Sequence, residues 1–218
     1  MTAPRKRVVV FISGGGSNMM ALLAATQKPD FPAEIVGVIS DKPTAGGLAK
    51  ASAQGIATFV FERKAYAGKA EHEAAIIGAL DQLQPDILCL AGYMRLLSGD
   101  FIHRYAGRIL NIHPSLLPLF PGLHTHDRAI KAGMKIAGCT VHFVTEGMDE
   151  GPVVAQAVVP VLPDDTADSL AARVLTVEHR TYPLALRLLA EGKVRMLADG
   201  RVERLGFAGD PAATLISA

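Results

Sequence analysis

One apolar stretch of the sequence ends in an amide and an imidazole that lie two residues apart. Residues 108–113 read RILNIH, and Pro114 ends the run. Alternate side chains of a β-strand point to the same face, so Asn111 and His113 share a face while Ile112 points to the core. An amide donor beside an imidazole can polarise a carbonyl, stabilise the oxyanion formed when that carbonyl is attacked, and move a proton. The pair therefore predicts attack on a carbonyl group at this strand end.

A carboxylate is expected near this histidine, because such chemistry needs a group that sets the charge and orientation of the imidazole. The loop TEGMDEGP, residues 145–152, offers three acids between two apolar runs: Glu146, Asp149 and Glu150. Acids in such loops are usually just solvated. The residues alone leave the choice among these three open.

A glycine-rich segment follows the first apolar run of the chain. Residues 13–18 read SGGGSN and lead into a helix-like stretch. Glycines let the backbone approach a ligand closely, and the free amides at a helix start favour an anion. The segment predicts a site for phosphate or another small anion, with a simple tight turn as the alternative.

Two other kinds of site could use residues near the Asn111–His113 pair. Four potential metal ligands lie close together in the sequence: His113, His124, His126 and Asp127. The stretch LHTHDRAIKAG, residues 123–133, is more typical of a loop that passes into a helix, which would separate the rings of His124 and His126. Ser115 lacks the Gly-x-Ser-x-Gly pattern of a hydrolase nucleophile. We therefore predict neither a metal site nor a serine nucleophile.

The elements that must position these groups alternate between strand and helix over the first half of the chain. Continuous apolar runs, typical of strands buried on both faces, predict strands at 7–13, 34–41, 56–61, 86–93 and 108–113. Helices are predicted at 17–27, with Ser17 or Asn18 as its N-cap, and at 45–54, 69–84 and about 98–105. This βαβα rhythm predicts a parallel sheet with helices on both faces.

The pattern changes in the second half. Residues 135–144 and 151–161 predict two longer strands that pair antiparallel. A long helix is predicted at 166–192, with a kink at Pro183, and Asp199-Gly200 predicts a type I′ hairpin. The fold class predicted is α/β. It is a single-domain open twisted sheet over residues 1–218, mainly parallel and Rossmann-like in the N-terminal half, with antiparallel C-terminal strands. The core spans about 7–206, and 207–218 form a tail.

Composition narrows the classes of partner. The chain has 218 residues, half of them hydrophobic, and a formal net charge of +1. A net charge this small gives no strong positive electrostatic field to attract nucleic acid or an anionic membrane, so neither is a predicted partner. Cys89 and Cys139 lie in apolar runs and predict buried thiols in a reducing compartment. The N-terminal apolar stretch is too short to span a membrane, and a cytoplasmic protein is expected, either a monomer or a weak homodimer.

Five motifs, in this order along the chain, resemble the glycinamide ribonucleotide formyltransferase family. They are ISGGGSN (12–18), LAGYMRLLS (90–98), NIHPSLLPLFPGLHTH (111–126), VHFVTEGMDEGPVVAQ (141–156) and VEHRTYP (177–183). The resemblance implies the formyltransferase fold and the transfer of a formyl group from 10-formyltetrahydrofolate to the amine of 5-phosphoribosylglycinamide, a step of purine biosynthesis. It implies 10-formyltetrahydrofolate as co-substrate, with no metal and no tightly bound cofactor.

The same resemblance implies roles for particular residues. Asn111 and His113 match the catalytic asparagine and histidine, and Asp149 matches the carboxylate that pairs with the histidine. Residues implied at the phosphoribosylglycinamide site are Gly16, Ser17, Asn18 and Glu178. Residues implied at the folate site are Lys69, Met94, Arg95, Leu96, Leu97, Asn111, Thr145, Glu146, Gly147, Met148 and Asp149. Lys64 and Arg63 are rivals of Lys69 for the folate tail, and Gly15 departs from the asparagine that relatives often carry.

Four rival functions are expected to leave different marks. Methionyl-tRNA formyltransferase would add a C-terminal domain and a basic surface, and formyltetrahydrofolate hydrolase would add an N-terminal domain. Sugar-nucleotide formyltransferases share SLLP but normally lack PGLHTH, residues 121–126 here. A non-catalytic nucleotide-binding module would explain the glycine-rich segment and leave Asn111, His113 and Asp149 without a purpose.

Overall fold

The computed structural model describes residues 4–206; the predicted tail at 207–218 lies outside the described residues. The strands are β1 Lys6–Ile12, β2 Ala33–Ser40, β3 Thr58–Val60, β4 Ile87–Leu90, β5 Ile109–His113, β6 Ile136–Phe143, β7 Val153–Pro160, β8 Val194–Met196 and β9 Val202–Arg204. The α-helices are α1 Ser17–Thr26, α2 Gly46–Ser52, α3 Lys69–Leu83, α4 Gly99–Arg104, α5 Thr125–Lys131 and α6 Ala167–Ala190. A short 3₁₀ turn covers Arg63–Ala65.

Seven strands form one sheet in the order β3-β2-β1-β4-β5-β6-β7. The first five strands in this order are parallel, and β6 and β7 join antiparallel. The α/β prediction with an antiparallel end is therefore confirmed. The order reverses between β1 and β4, which places the loops after these two strands side by side at the carboxyl edge, where open α/β sheets bind ligands.

Apolar layers cover both faces of the sheet, because the parallel strands are apolar at nearly every position. One buried cluster joins Leu110 and Ile112 of β5 to α1 and α6. The other joins Ile109 of β5 to α3 and α4. Asn111 and His113 share one face of β5, as the sequence predicts, and the alternation along the strand turns this face to the α3 and α4 side. Ile112 packs in the opposite layer.

Helix boundaries agree with the predicted segments, and α1 begins at Ser17 as predicted, but its N-cap residue differs from the prediction. Its N-cap is Gly16, with φ of 71°, and no side chain caps the helix. The left-handed conformation suits glycine, which has no Cβ, so neither Ser17 nor Asn18 is needed as a cap. At the other end of the chain, α6 includes Pro183 without ending there.

The type I′ prediction at Asp199-Gly200 is wrong. These residues lie within a five-residue connection, 197–201, between β8 and β9. A type I′ turn needs positive φ at both central residues, and only Gly200 has it, at 79°. The Asp199 carboxylate instead accepts a hydrogen bond from Arg201 N at 3.0 Å, a local interaction that stabilises a different turn.

The two cysteines belong to the buried interior. Cys89 and Cys139 are free and buried, and burial raises the pKa of the Cys139 thiol to about 11. Between residues 4 and 206, no helix combines the length and the apolar character needed to cross a bilayer.

Candidate active site

The predicted pair lies at the end of β5, between one parallel and one antiparallel neighbour. β4 pairs Leu90 with Asn111, whereas β6 places His142 directly opposite Asn111 and Thr140 opposite His113. Residues directly opposite in antiparallel strands point to the same face. The strand end therefore presents an amide and two imidazoles together on the α3 and α4 side of the sheet.

His142 is held as a neutral ring that accepts a hydrogen bond from Asn111. Its Nδ1 lies 2.9 Å from Phe143 O, which can only accept, so Nδ1 carries the proton. Its Nε2 is then the acceptor for Asn111 Nδ2 at 3.1 Å. Burial lowers the pKa of His142, an effect that outweighs the nearby Asp149 charge. One N–H of the Asn111 amide is thereby occupied, and its second N–H remains for another acceptor.

Asp149 is the acid that reaches the histidine. Its Oδ2 lies 3.3 Å from His113 Nδ1 and accepts a hydrogen bond from Gly122 N at 2.8 Å. Its backbone is left-handed, with φ of 58°, a conformation that aspartate tolerates better than most residues. Of the rival acids, Glu146 pairs with His103 at 3.0 Å and Glu150 is exposed.

His113 meets an acceptor at each ring nitrogen. Beyond the Asp149 contact at Nδ1, His113 Nε2 lies 3.0 Å from Phe120 O, and the residue is only 6% exposed. A neutral imidazole has one N–H, whereas the imidazolium has two. Acceptors on both sides fix the orientation of the ring and can receive both of its N–H groups when it is protonated.

The turn that carries Phe120 is held by two polar side chains, the buried Thr140 of β6 and the exposed Gln156 of β7. Thr140 Oγ1 donates to Ser115 O at 2.7 Å and accepts from Leu117 N at 3.0 Å. Gln156 Nε2 donates to Leu117 O at 2.9 Å. The Ser115 hydroxyl is bound within its own turn, to Leu119 O at 2.6 Å, which fits a structural role for this serine.

The glycine-rich segment lies at the carboxyl end of β1. A Cβ on Gly16 would lie 2.9 Å from the Cα of Gly47, so this close approach of two backbones needs glycine. Gly14 and Gly15 are exposed, and Lys50 Nζ donates to Gly15 O at 2.9 Å. Ser17, the first residue of α1, is also exposed. A cation and accessible amides thus lie together at this loop.

Glu178 connects this loop region to α6. Its Oε2 accepts a hydrogen bond from Asn18 Nδ2 at 2.6 Å. Burial raises the pKa of Glu178, against the opposing effects of the Asn18 hydrogen bond and the His113 charge. A buried carboxylate therefore lies between the glycine-rich segment and the end of β5.

The residues implied at a folate site belong to separate elements. Residues 94–97 belong to the loop between β4 and α4, and 145–149 belong to the loop between β6 and β7. Lys69 is exposed at the first position of α3, and Arg63 and Lys64 lie in the preceding 3₁₀ turn. Glu73, one turn along α3 from Lys69, bonds to Ser98 N at 2.8 Å, which brings the start of α3 to the end of the 94–97 loop.

The two histidines of the alternative metal pattern separate as the sequence suggests. His124 precedes α5 with φ of 57°, and His126 lies within that helix. Burial, with a smaller effect of His113, lowers the pKa of His126, whose Nε2 is buried without a hydrogen-bond partner. In the described part of the chain, no three His, Cys, Asp or Glu residues are grouped as metal ligands.

Sequence reasoning missed His142, Thr140 and the carbonyl of Phe120. The alternation along β6 does place Thr140 and His142 on one face, and that signal was available in TVHF, residues 140–143. Which residue of β5 lies opposite them depends on the antiparallel register, which no local pattern specifies.

Comparisons with known proteins show which family the chain resembles. The formyl transferase family profile matches residues 6–186. The phosphoribosylglycinamide formyltransferase of Escherichia coli is 43% identical over 209 residues, covering 93% of this chain and 99% of that protein. The crystal structure of phosphoribosylglycinamide formyltransferase from Brucella melitensis has a TM-score of 0.86 and 64% identity, covering 98% of this chain and 100% of that one.

One relative is much longer. The trifunctional purine biosynthetic protein adenosine-3 of Bos taurus is 47% identical over 200 residues, which are 91% of this chain and 20% of that protein. The chain thus spans about a fifth of the length of this relative. With the family match extending from β1 into α6, and with relatives above 40% identity aligned over nearly their whole length, the chain belongs to the formyl transferase family.

Proposed function

We propose that the protein transfers the formyl group of 10-formyltetrahydrofolate to the amine of 5-phosphoribosylglycinamide, giving formylglycinamide ribonucleotide and tetrahydrofolate. The observation that carries this proposal is the contact of His113 with Asp149 at 3.3 Å, next to Asn111. The relatives from Escherichia coli and Brucella melitensis are named for the same reaction. We further propose that residues 1–218 act as a single domain.

The phosphoribosyl end of the amine substrate would bind at the glycine-rich segment. Backbone amides of Gly16, Ser17 and Asn18 lie at the N-terminus of α1, where unpaired N–H groups and the helix dipole favour a phosphate. Glu178 would then lie along the glycinamide portion. Its carboxylate can accept hydrogen bonds from the amide and amine groups of the substrate and orient the nucleophile toward β5.

The formyl group would lie against Asn111 and His113. As the amine nitrogen bonds to the formyl carbon, the carbonyl oxygen becomes an oxyanion. The second N–H of Asn111 and the cationic His113 ring can both donate to it, and fixed donors of this kind need no reorganisation during the reaction. For His113, donation through Nε2 requires the oxyanion to replace Phe120 O, now 3.0 Å away.

Collapse of the tetrahedral intermediate breaks the bond between the formyl carbon and N10 of the folate. The attacking nitrogen must lose a proton and N10 must gain one. Asp149 is the nearest carboxylate to His113 among the three loop acids, and through a water molecule it can pass the proton from one nitrogen to the other. The proton lost by the amine nitrogen is the one gained by N10, so the protonation of the protein is the same before and after the cycle.

The folate would occupy the space between the two remaining loops. Met94, Leu96 and Leu97 would wall the flat pterin while backbone groups of the 94–97 loop read its edge, and Thr145 to Asp149 would form the opposite wall. Met148 is 56% exposed, which leaves its side chain free for such a contact. Lys69 would meet the charged tail of the folate.

The test is a spectrophotometric assay of folate product with purified protein, both substrates, and a parallel reaction containing chelator. We expect chelator-insensitive turnover that requires 5-phosphoribosylglycinamide. Release of folate at the same rate without the amine would identify a hydrolase and overturn the proposed acceptor. Binding of the amine substrate by titration calorimetry without turnover would indicate a binding module instead.

Replacing Glu178 with glutamine should raise the KM for the amine substrate and also raise thermal stability near pH 7.5. Burial raises the pKa of Glu178, so ionising this side chain costs the folded state stability. That cost is complete above the raised pKa and absent below the unfolded value of about 4.3. Glutamine removes the charge and still accepts from Asn18. Melting curves at about pH 7.5 and about pH 4 should show a gain that shrinks at the lower pH.

A lower melting temperature for the glutamine variant at about pH 7.5 would contradict this account of Glu178. An unchanged KM for the amine would remove the residue from the substrate site. The matched control is Glu191→Gln, because Glu191 follows the same helix and is bonded to Arg187 and Lys193 at its far end. That variant should leave both KM values unchanged.

A further inference from the structure

The loop between β4 and α4 keeps two large apolar side chains in solvent. Met94 and Leu96 are 65% and 68% exposed. Apolar groups lower their free energy by packing against apolar surface, so a short loop of this composition tends to collapse unless its ends are fixed. Hydrogen bonds to side chains of other elements fix both ends of residues 94–97.

A buried carboxylate fixes the first end. Asp41, which directly follows β2, is 2% exposed. Its Oδ2 accepts from Arg95 Nε at 2.8 Å, and its Oδ1 accepts from Ser13 Oγ at 2.5 Å. The same Ser13 hydroxyl accepts from Met94 N at 2.9 Å. Two consecutive residues of the loop are thus bonded to Asp41, one directly and one through a hydroxyl.

A second buried carboxylate fixes the other end. Glu73 of α3 is 6% exposed and accepts from both Ser98 N, at 2.8 Å, and Ser98 Oγ. Ser98 Oγ also accepts from Phe101 N at 3.2 Å, which makes it the N-cap of α4. The loop is therefore bonded to α3 at the residue where it passes into α4.

The hydrogen bonds to Asp41 and Glu73 are of a strong type. Hydrogen bonds to an ionised carboxylate are shorter and stronger than neutral ones, and a buried carboxylate is costly to leave unpaired. Both carboxylates also act on Tyr93, which precedes residues 94–97. Burial raises the pKa of Tyr93, and Asp41 and Glu73 raise it further against the opposing charge of Arg95.

We propose that Asp41 and Glu73 are positioning residues that hold residues 94–97 open in the shape that binds the folate. This inference rests on the proposed function. Neither carboxylate needs to touch the folate, since each acts through Arg95, Met94 or Ser98. A loop ordered in advance loses less conformational freedom on binding, which improves affinity without any new contact.

The test compares kcat and both KM values of the full chain with those of Glu73→Ala and Asp41→Ala. We expect the KM for 10-formyltetrahydrofolate to rise about tenfold, the factor that corresponds to one lost hydrogen bond to a charged group. The KM for the amine should change much less in Glu73→Ala, and kcat at saturation should be retained. The conservative variants Glu73→Gln and Asp41→Asn keep acceptor oxygens and should return the folate KM toward wild type.

The matched control is Asp165→Ala. Asp165 also binds a serine hydroxyl and an arginine, with Ser169 Oγ at 2.7 Å and Arg173 Nη2 at 2.9 Å, but it lies beyond the edge strand β7 at the start of α6. Its loss should lower thermal stability and leave the folate KM unchanged. Should either alanine variant fail to fold, Ser98→Ala keeps the bond from Ser98 N to Glu73 and removes the hydroxyl, with its bond to Glu73 and its cap on α4. It should give a smaller rise in the same KM.

Amide hydrogen exchange of residues 94–97, without substrates, separates this inference from the proposed function. Faster exchange in Glu73→Ala and Asp41→Ala than in Asp165→Ala supports the anchoring even for a protein that fails the transfer assay. The inference is overturned if exchange and folate KM both match wild type. It is also overturned if both KM values of Glu73→Ala rise by the same factor, because an equal rise is the signature of general destabilisation.

Discussion

Replacing His113 with alanine should lower kcat on the order of a hundred- to a thousandfold, the usual effect of losing one oxyanion donor. His113 is buried, faces Asp149 and Phe120 O with its two ring nitrogens, and shares its face of β5 with Asn111. Alanine removes the donor and the cation together. The KM values should change little, because the glycine-rich segment, Glu178 and the 94–97 loop remain. The measurement is steady-state folate release with each substrate varied in turn.

The control for this variant is His72→Gln. His72 is also buried, and its Nε2 also lies against a backbone carbonyl, Phe61 O at 2.8 Å. It lies on α3, away from the end of β5. The control should keep a kcat close to wild type. A kcat for His113→Ala within a few-fold of the control would mean that the imidazole takes no part in the chemical step.

Asp149→Asn should lower kcat by about a hundred- to ten-thousandfold, the range for general acid–base groups. Asparagine keeps an oxygen that can accept from Gly122 N, so the loop should retain its conformation, but it can neither take up a proton nor stabilise a cationic His113. The pH–rate profile should therefore lose its dependence on one group. The measurement is kcat across pH for wild type and variant.

Glu150→Gln is the neighbouring control, because Glu150 is exposed and lies one residue from Asp149. It should reproduce both the rate and the profile of wild type. An Asp149→Asn enzyme with the wild-type rate and profile would remove Asp149 from the mechanism. A slow enzyme whose profile is unchanged would assign Asp149 to holding the loop through Gly122 N rather than to moving a proton.

Much of the site could be predicted from the sequence, because the placement of its residues depends on local periodicity. The alternation along β5 sufficed to turn Asn111 and His113 to one face, and continuous apolar runs predicted the parallel strands. The glycine-rich segment was likewise predicted to lie between a strand and a helix. These features depend on neighbours within a few residues, which is the range that propensity and pattern describe.

The rest depends on contacts between distant parts of the chain. Asp149 reaches His113 only because its backbone is left-handed in a loop whose course is set by Gly122 and Phe143, so the three loop acids looked alike in the sequence. The pairing of His142 with Asn111 needed the β5–β6 register. Asn18 and Glu178 are 160 residues apart and still bonded. The resemblance to a family supplied Asp149 and Glu178, whereas the alternation along β6 could place His142 on a face but not opposite Asn111.

The division of the site between a central strand and a loop has a consequence for local unfolding. Amides of β5, bonded on both sides to β4 and β6, should open only with the whole domain, whereas a loop such as 145–152 can open at far lower cost. Mild denaturant should therefore disconnect Asp149 while Asn111, His113 and His142 keep their arrangement. Activity would then be lost before the sheet melts, and slow amide exchange in β5 would persist in an enzyme that has already stopped turning over.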